Sequence, residues 1–332
     1  MPALPPTPEF WHREGVLPRL LQPLAWAYAA GGAARRAWTQ PWRAPVPVIC
    51  VGNLTAGGAG KTPVVMALAQ RLLGKGRHVH VLSRGYGGAL SGPVAVDEAR
   101  HDAAAVGDEA LLLARVAPAW IARDRAAGAR AAAAAGAELL VLDDGLQNPR
   151  LAKDLSFVVV DGGYGFGNGR VLPAGPLREP LAAGLARSDA VIVMGADEAQ
   201  VAPLVMAKPV LRARLVAENA ADFVGRRVLA FAGIGRPAKF FATLEAAGAR
   251  LVAREAFADH HRYGDDELGR LAATAAAAGA RLVTTAKDAV RLSPAWRERV
   301  GVLRVAVAWD DEPALEAILE RAAVPARGLG RP

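Results

Sequence analysis

Three glycines crowded into four positions and followed at once by lysine and threonine are residue types that grip phosphate. They occur in the run VPVICVGNLTAGGAGKTPVV (46–65), where Gly57, Gly58 and Gly60 precede Lys61 and Thr62. Glycines let the backbone curl so that successive N–H groups point at phosphate oxygens. Lys61 then neutralises the β- and γ-phosphates and the Thr62 hydroxyl ligates Mg²⁺. The whole loop, Thr55, Ala56, Gly57, Gly58, Ala59, Gly60, Lys61 and Thr62, is therefore the expected ATP cradle. The strict motif places glycine six residues before the lysine, where this chain has Thr55. The alternative reading is a turn that merely joins a strand to a helix.

A nucleotide site of this kind needs a second half, a carboxylate at the end of a neighbouring apolar strand. Leu139 to Leu142 followed by Asp143 supplies one, and Asp144 beside it serves either the metal or a loop cap. Transfer to an alcohol further needs an acceptor-side base or orienting carboxylate. Asp108, in VGDEA, stands at a predicted helix start, where it either caps the helix or does that work. Asp259-His260-His261-Arg262-Tyr263 offers histidines, but two neighbours in an extended chain point opposite ways, which argues against a two-histidine metal site. Either one of them faces a carboxylate across a cleft, or both lie at the surface.

These residues need a scaffold that gathers strand ends on one side. Apolar strands over 46–51, 78–83, 119–122, 138–143, 155–161 and 188–194 alternate with helices over 62–76, 107–117 and around 131. That alternation predicts an α/β fold of the P-loop NTPase type, a parallel sheet wrapped by helices, whose ligands sit beyond the carboxyl ends of the strands. Arg84, the glycine loop and the two aspartates all fall at those ends. The Gly-, Arg- and Pro-rich stretch near 162–180 reads as a substrate loop or lid. A second strand–helix set follows, with strands over 228–231, 251–253, 281–285 and 302–308. The expected organisation is thus an N-terminal amphipathic helix (1–44), a P-loop domain (45–200) and a smaller α/β domain (201–332).

With 332 residues, a net charge of +8 and 52% hydrophobic composition, the chain is globular and suited to an anionic partner. Cys50 is its one cysteine, so no disulfide forms within it. No apolar run reaches the roughly 18–20 residues of a membrane span, and no signal peptide is apparent. Between 10 and 43, however, Trp11, Trp26, Trp38 and Trp42 mix with five arginines and a helically spaced stripe of Leu17, Leu20, Leu21, Leu24 and Tyr28. Such a helix either lies in a membrane interface or packs its stripe on the protein. Aromatics concentrated there, and no base-reading motif elsewhere, argue against nucleic acid. A nucleotide-driven ATPase or switch with an anionic partner, or a kinase with no membrane role, remain alternatives. Thr285-Ala286-Lys287-Asp288 only half resembles a guanine-specificity run.

The runs VGNLTAGGAGKTP, SRGYGG, VGDEA, DDGLQN, RVLPAGPLREP, FAGIGRPAKFF, FADHHRY and TTAKDAVRL, in this order, resemble the tetraacyldisaccharide 4'-kinase family. The resemblance implies a two-domain P-loop enzyme. It would move the ATP γ-phosphate to the 4'-hydroxyl of a tetraacylated, 1-phosphorylated glucosamine disaccharide in lipid A biosynthesis. It also implies an N-terminal helix on the cytoplasmic face of a bacterial inner membrane, and a monomer. Carried over, Lys61 and Thr62 match the phosphate and Mg²⁺ contacts, Asp108 the catalytic base and His260 its dyad partner. Asp143 and Asp144 match the metal-proximal pair, with Glu109 joining the metal shell. Arg178, Arg84 and Gln147 fall in runs expected to meet substrate. Because Asp108 and His260 lie in different domains, closure would assemble them.

Overall fold

In a computed structural model, which describes residues 8–323, the apolar runs form thirteen strands. They are β1 (Val48–Gly52), β2 (Val79–Ser83), β3 (Val94–Ala95), β4 (Ala119–Ile121), β5 (Leu139–Asp143), β6 (Leu155–Asp161) and β7 (Ala190–Met194). Then come β8 (Val210–Ala217), β9 (Arg227–Ala232), β10 (Arg250–Ala256), β11 (Arg281–Thr285), β12 (Gly301–Leu303) and β13 (Val305–Trp309). Nine of them make one sheet, in the order β13–β8–β7–β6–β1–β5–β2–β4–β3. From β8 to β4 every neighbour is parallel, and only the edge strands β13 and β3 run antiparallel. Strands covered on both faces must be apolar throughout, and β1, β2, β5, β6 and β7 are buried at every position.

The helices that matter to the site are α1 (Val16–Leu20), α2 (Gln22–Ala37), α3 (Lys61–Gly74), α4 (Ala103–Val106), α5 (Asp108–Ala114) and α6 (Arg125–Ala134). On one face Val64, Val65, Leu68, Ala69 and Leu72 of α3, spaced for one helical stripe, share a core with β1, β5 and β6 and with Leu315, Ile318 and Leu319 of the last helix. The opposite core takes Ala129 and Ala132 of α6 and Ala25 of α2. This is the wrapped parallel sheet expected from the strand–helix alternation.

The division into two α/β units falls elsewhere than at 200/201. β8 follows that point yet pairs with β7, so it belongs to the first sheet. The expected strand over 302–308 is two strands on different sheets: Gly301 pairs with Val283 of β11, whereas Val305 pairs with Ala217 of β8. Asn219 makes the crossing, because its side chain accepts from the Arg304 N–H at 2.9 Å and donates to the Val302 carbonyl at 3.0 Å. The second sheet, β10–β9–β11–β12, is parallel throughout and is carried between β8 and β13.

The N-terminal segment is a short 3-10 turn (Glu9–His12) followed by α1 and α2 rather than one helix. Residues 1–7 of that expected unit, and 324–332 of the last, lie outside the described residues. Within its stripe only Leu21 packs inward, against the core that holds Ala25. Val16 and Leu20 are more than 70% exposed, Trp26 is 66% and Trp38 87% exposed, and Leu17, Leu24 and Tyr28 are exposed as well. No helix among the described residues is long and apolar enough to cross a membrane.

Phe157, at the centre of β6, is completely buried. Truncation to alanine leaves a cavity under α3 and the last helix, so Phe157→Ala is expected to cost about 3–5 kcal/mol. The check is the urea unfolding midpoint, which should fall with little change in slope.

Candidate active site

β1 delivers the chain to a loop over 53–60 that opens directly into α3. Gly60 takes φ +85° at the helix N-cap, a conformation that favours glycine, and no side chain caps this end. The first N–H groups of a 14-residue helix therefore remain available to an anion. From beneath, the Asn53 amide donates to the carbonyls of Thr55 at 2.8 Å and Gly57 at 3.3 Å. Thr55 is not in the left-handed region but in an antiparallel bridge with Leu177, which explains why no glycine is required there.

That bridge also revises the expected lid. Ala56 N donates to Pro176 O at 2.7 Å and Arg178 N to Leu54 O at 2.8 Å. Phe166, Ala174 and Leu177 are buried, and Trp11 donates its indole N–H to Pro173 O at 3.1 Å. The 162–180 stretch is a docked wall of the phosphate loop, because its apolar residues found a core that its glycine content obscured.

Behind the cradle the paired aspartates have different occupations. Asp144, at φ +54°, turns its carboxylate to Arg178, which donates to both oxygens at 2.8 and 2.9 Å, with Lys61 Nζ at 3.8 Å. Burial alone would raise this carboxyl, but Lys61 and Arg178 outweigh it and hold it below its usual value. Arg178 is thus anchored on Asp144 beside the phosphate lysine. Gln147 donates to Asn53 O at 2.9 Å and to Glu179 at 3.1 Å, so its amide holds the loop. Arg84 is exposed at the end of β2. Its charge bears on Arg125, a buried arginine whose Nε has no hydrogen-bond partner. Arg125 did not figure among the expected site residues; nothing in its helix-start context, ARDRAAG, distinguishes it from a surface arginine.

Asp143 lies deeper. Its Oδ2 receives the Thr62 hydroxyl at 3.3 Å, while its Oδ1 is buried with no partner. Burial, followed by the nearby Glu109 charge, pushes the carboxyl up from 3.8 to about 7, against the pull of Lys61.

The two sheets meet at Asp108, the first residue of α5. Gly107 sets it there with φ +88°, and a Cβ on that glycine would lie 2.4 Å from the Tyr86 carbonyl, so the SRGYGG and VGDE loops interlock. His260, from the second sheet, places Nδ1 2.9 Å from Asp108 Oδ2. His261 points the other way, to Glu267 at 2.8 Å, and stacks on Phe257. The expectation of one histidine facing a carboxylate across the seam is met by His260, and the pair is assembled in this structure.

Three further residues of the seam come from the run TTAKDAVRL. Arg291 donates Nε to Asp108 Oδ2 at 2.8 Å, places a second nitrogen on the same oxygen, and donates Nη1 to Asp288 at 2.9 Å. Asp288 is fully buried and also receives Tyr263 OH at 2.8 Å, Thr285 Oγ1 at 2.6 Å and Gly233 N at 3.0 Å. Lys287 reaches Glu109 at 3.3 Å and Asp259 at 3.7 Å. Burial would depress its ammonium, but Glu109, Asp108 and Asp259 outweigh that and raise it. Burial would likewise raise Asp108, yet the His260 hydrogen bond and the Lys287 and Arg291 charges hold its carboxyl far below the usual range. The signal for these residues is the alternation of cation and acid at Lys287, Asp288 and Arg291 in one short run, which its half-resemblance to a guanine motif obscures. Glu109, expected at the metal, is tied to Lys287 here.

A cleft of about 680 Å³ opens beside the pair, walled by Tyr86, Arg100, Arg262 and Arg297. Elsewhere on the seam Asp161, at the end of β6, receives Arg236 at 2.7 Å and Lys239 at 2.5 Å from the second unit.

A helix-borne phosphate cradle with a strand-end carboxylate, facing an acid–imidazole pair, defines a P-loop phosphotransferase. A profile of the family described as tetraacyldisaccharide-1-P 4'-kinase matches residues 17–323. The tetraacyldisaccharide 4'-kinase of Rhodospirillum centenum is 59% identical over 320 residues, covering 94% of this chain and 95% of its own. That of Rhodospirillum rubrum is 55% identical, covering 95% and 97%. The crystal structure of LpxK from Aquifex aeolicus in complex with ATP superposes with a TM-score of 0.74 at 29% identity, covering 92% of this chain and 99% of that one. The chain belongs to the tetraacyldisaccharide 4'-kinase family.

Mg²⁺, which such kinases use with ATP, fits the residues present. A buried carboxylate oxygen without a partner, next to a threonine hydroxyl, is a ligand pair short of its cation. Among the described residues no three His, Cys, Asp or Glu side chains converge into a metal cage.

The raised Asp143 carboxyl gives a sign-defined test on metal-free protein. Its folded value of about 7 lies above the unfolded value near 3.8, so its contribution to stability is intact below about pH 4 and is lost as pH rises through 7. The full loss is on the order of 4 kcal/mol. Asp143→Asn is therefore expected to raise the melting temperature at pH 8 and to change it little at pH 4. Equal shifts at both pH values would show that the carboxylate is not buried uncompensated.

Proposed function

We propose that this chain transfers the γ-phosphate of ATP to the 4'-hydroxyl of a tetraacylated glucosamine disaccharide 1-phosphate, a step of lipid A biosynthesis. The observation that carries this reading is the placement of the Lys61–Thr62 cradle and the Asp108–His260 pair at one sheet edge, in a chain of this family. Lys61 meets the β- and γ-phosphates, and the N–H groups of the 57–62 turn take their oxygens. Thr62 and Asp143 would hold Mg²⁺, which would neutralise phosphate charge. Arg178, steadied by Asp144, and Arg84 face the anionic acceptor, with Gln147 keeping the loop beneath them in place. The Asp108–His260 pair receives the hydroxyl proton during in-line attack.

The test is incubation with γ-labelled ATP, Mg²⁺ and the tetraacylated disaccharide 1-phosphate in detergent, followed by detection of labelled lipid. Lys61→Ala and Thr62→Ala are each expected to lower turnover by about 10²–10³-fold, as removal of transition-state charge stabilisation does, with the unfolding midpoint unchanged. Product formation at the normal rate in either variant would take the cradle out of the mechanism.

The exposed stripe of α1 and α2 supports seating on the cytoplasmic face of the inner membrane. Trp26 and Trp38 suit the headgroup zone, and the exposed Arg19 and Arg35 suit lipid phosphates, whereas Arg36 is paired with Glu179. Replacing Trp26 and Trp38 by serine is expected to release the protein from sedimented anionic vesicles while ATP binding is retained. Unaltered sedimentation would leave the stripe without a membrane role.

A further inference from the structure

Besides its contacts at Asp108, the second unit meets the first at Asp161, the last residue of β6. Asp161 Oδ1 accepts the Gly163 N–H at 3.0 Å, while Oδ2 takes both Arg236 Nη1 at 2.7 Å and Lys239 Nζ at 2.5 Å. The carboxylate is nearly buried, whereas both cations keep much of their side chains in water. A carboxylate so placed must keep a charged partner, and one of the two cations is enough to supply it. The contact is therefore doubly insured. Both cations come from the start of the helix Pro237–Ala246, Arg236 as its N-cap residue, and the Arg236 guanidinium lies 4.9 Å over the Tyr164 ring.

The Asp108 and Asp161 contacts straddle the phosphate loop. In the order β6–β1–β5–β2–β4, Asp161 ends β6 on one side of β1, and Asp108 opens α5, whose Leu111 packs with Ile121 of β4 on the other. At about 4.8 Å between neighbouring strands, β6 and β4 are roughly 19 Å apart. One contact alone would let the second unit turn about it; two at this separation remove that freedom. Between them the 233–236 stretch lies on the phosphate loop, since a Cβ on Gly235 would stand 3.9 Å from Gly58 N. Its near end is Gly233, whose N–H donates to Asp288 at 3.0 Å and whose carbonyl accepts the His260 N–H at 3.1 Å and Arg291 Nη1 at 2.8 Å. Its far end is Arg236 on Asp161.

We infer that Asp161 is a positioning residue for phosphoryl transfer, which through Arg236 and Lys239 sets the angle at which the second sheet faces the phosphate cradle. The inference rests on the kinase reading above. Asp161 acts through the 233–236 stretch and touches no substrate itself. The cradle residues 57–62 belong wholly to the first unit, so capture of ATP does not depend on this docking. Alignment of the second unit over the captured nucleotide does.

Electron–electron resonance between two spin labels on full-length protein reads the angle directly. Ala134→Cys and Ala276→Cys place one label on each unit at exposed positions, and the native Cys50 is buried and stays unlabelled. The expected distance distribution is narrow. Asp161→Asn should broaden it, as should Arg236→Gln combined with Lys239→Gln, whereas either glutamine substitution alone should leave it narrow. In the labelled-lipid assay the same two broadened proteins should lose about 10–10²-fold in kcat, the loss that a misplacement of about 1 Å brings, with the KM for ATP little changed. Asp161→Glu, which keeps the charge, should recover part of both. A narrow distribution with normal kcat in Asp161→Asn would overturn the inference, and so would a fall in kcat with the distribution unchanged. If Asp161→Asn fails to fold, the double substitution of the two water-facing cations decides. Absence of any labelled lipid with the unmodified enzyme would sink the kinase reading alone, and the distance distributions would still test the docking.

Discussion

One guanidinium wedged between two buried carboxylates sets the geometry of everything around it. Arg291 is 4% exposed, Asp108 4% and Asp288 completely buried, so none of the three charges has water to fall back on. Removing one partner of such a set typically costs about 3–5 kcal/mol because it strands the others. The two sheets are therefore held in one register at this point. Tyr263, Thr285 and the Gly233 N–H take up the remaining valences of Asp288, which leaves that carboxylate no freedom to swing away. The His260 imidazole is held against this lattice through Asp108, while its backbone sits at φ +60°.

Asp108 and Asp143 make an instructive pair. Both are buried carboxylates at the rim of one sheet, yet one is held far below the usual range and the other is pushed to about 7. The difference lies in who arrived first. Arg291, Lys287 and His260 all crowd onto Asp108 within the protein itself. Asp143 has only the Thr62 hydroxyl and a distant lysine, with Glu109 adding like charge. One carboxylate finds its partners within the chain, and the other keeps a buried oxygen unpaired.

Much of this was legible in the sequence. The cradle, the strand-end aspartates and the parallel sheet follow from glycine spacing and from apolar runs too continuous for a half-exposed strand. Asp108 and His260 were marked by the motifs around them. What escaped was whatever depends on long-range closure. A chain that crosses from one sheet to the other at Arg304, inside what looks like a single strand, leaves no periodic trace. Its only sign is Asn219, some eighty positions away. Likewise the glycine-rich 162–180 stretch reads as a substrate loop or lid by composition, whereas Phe166, Ala174 and Leu177 lock it against the phosphate loop. The seam cations Lys287 and Arg291 needed a partner in space before their charges meant anything.

The return of the chain through β13 makes the second sheet a separable unit. Ala217 and Val305 are paired neighbours on adjacent antiparallel strands, and the helix that follows β13 completes the core of the first sheet. Everything between them, the whole second sheet with His260, Lys287, Asp288 and Arg291, is topologically a cassette set into a hairpin. A tight turn between Ala217 and Val305 would leave all nine strands of the first sheet paired, so the second sheet can be lifted out or exchanged as one unit without breaking a single strand pairing of the first.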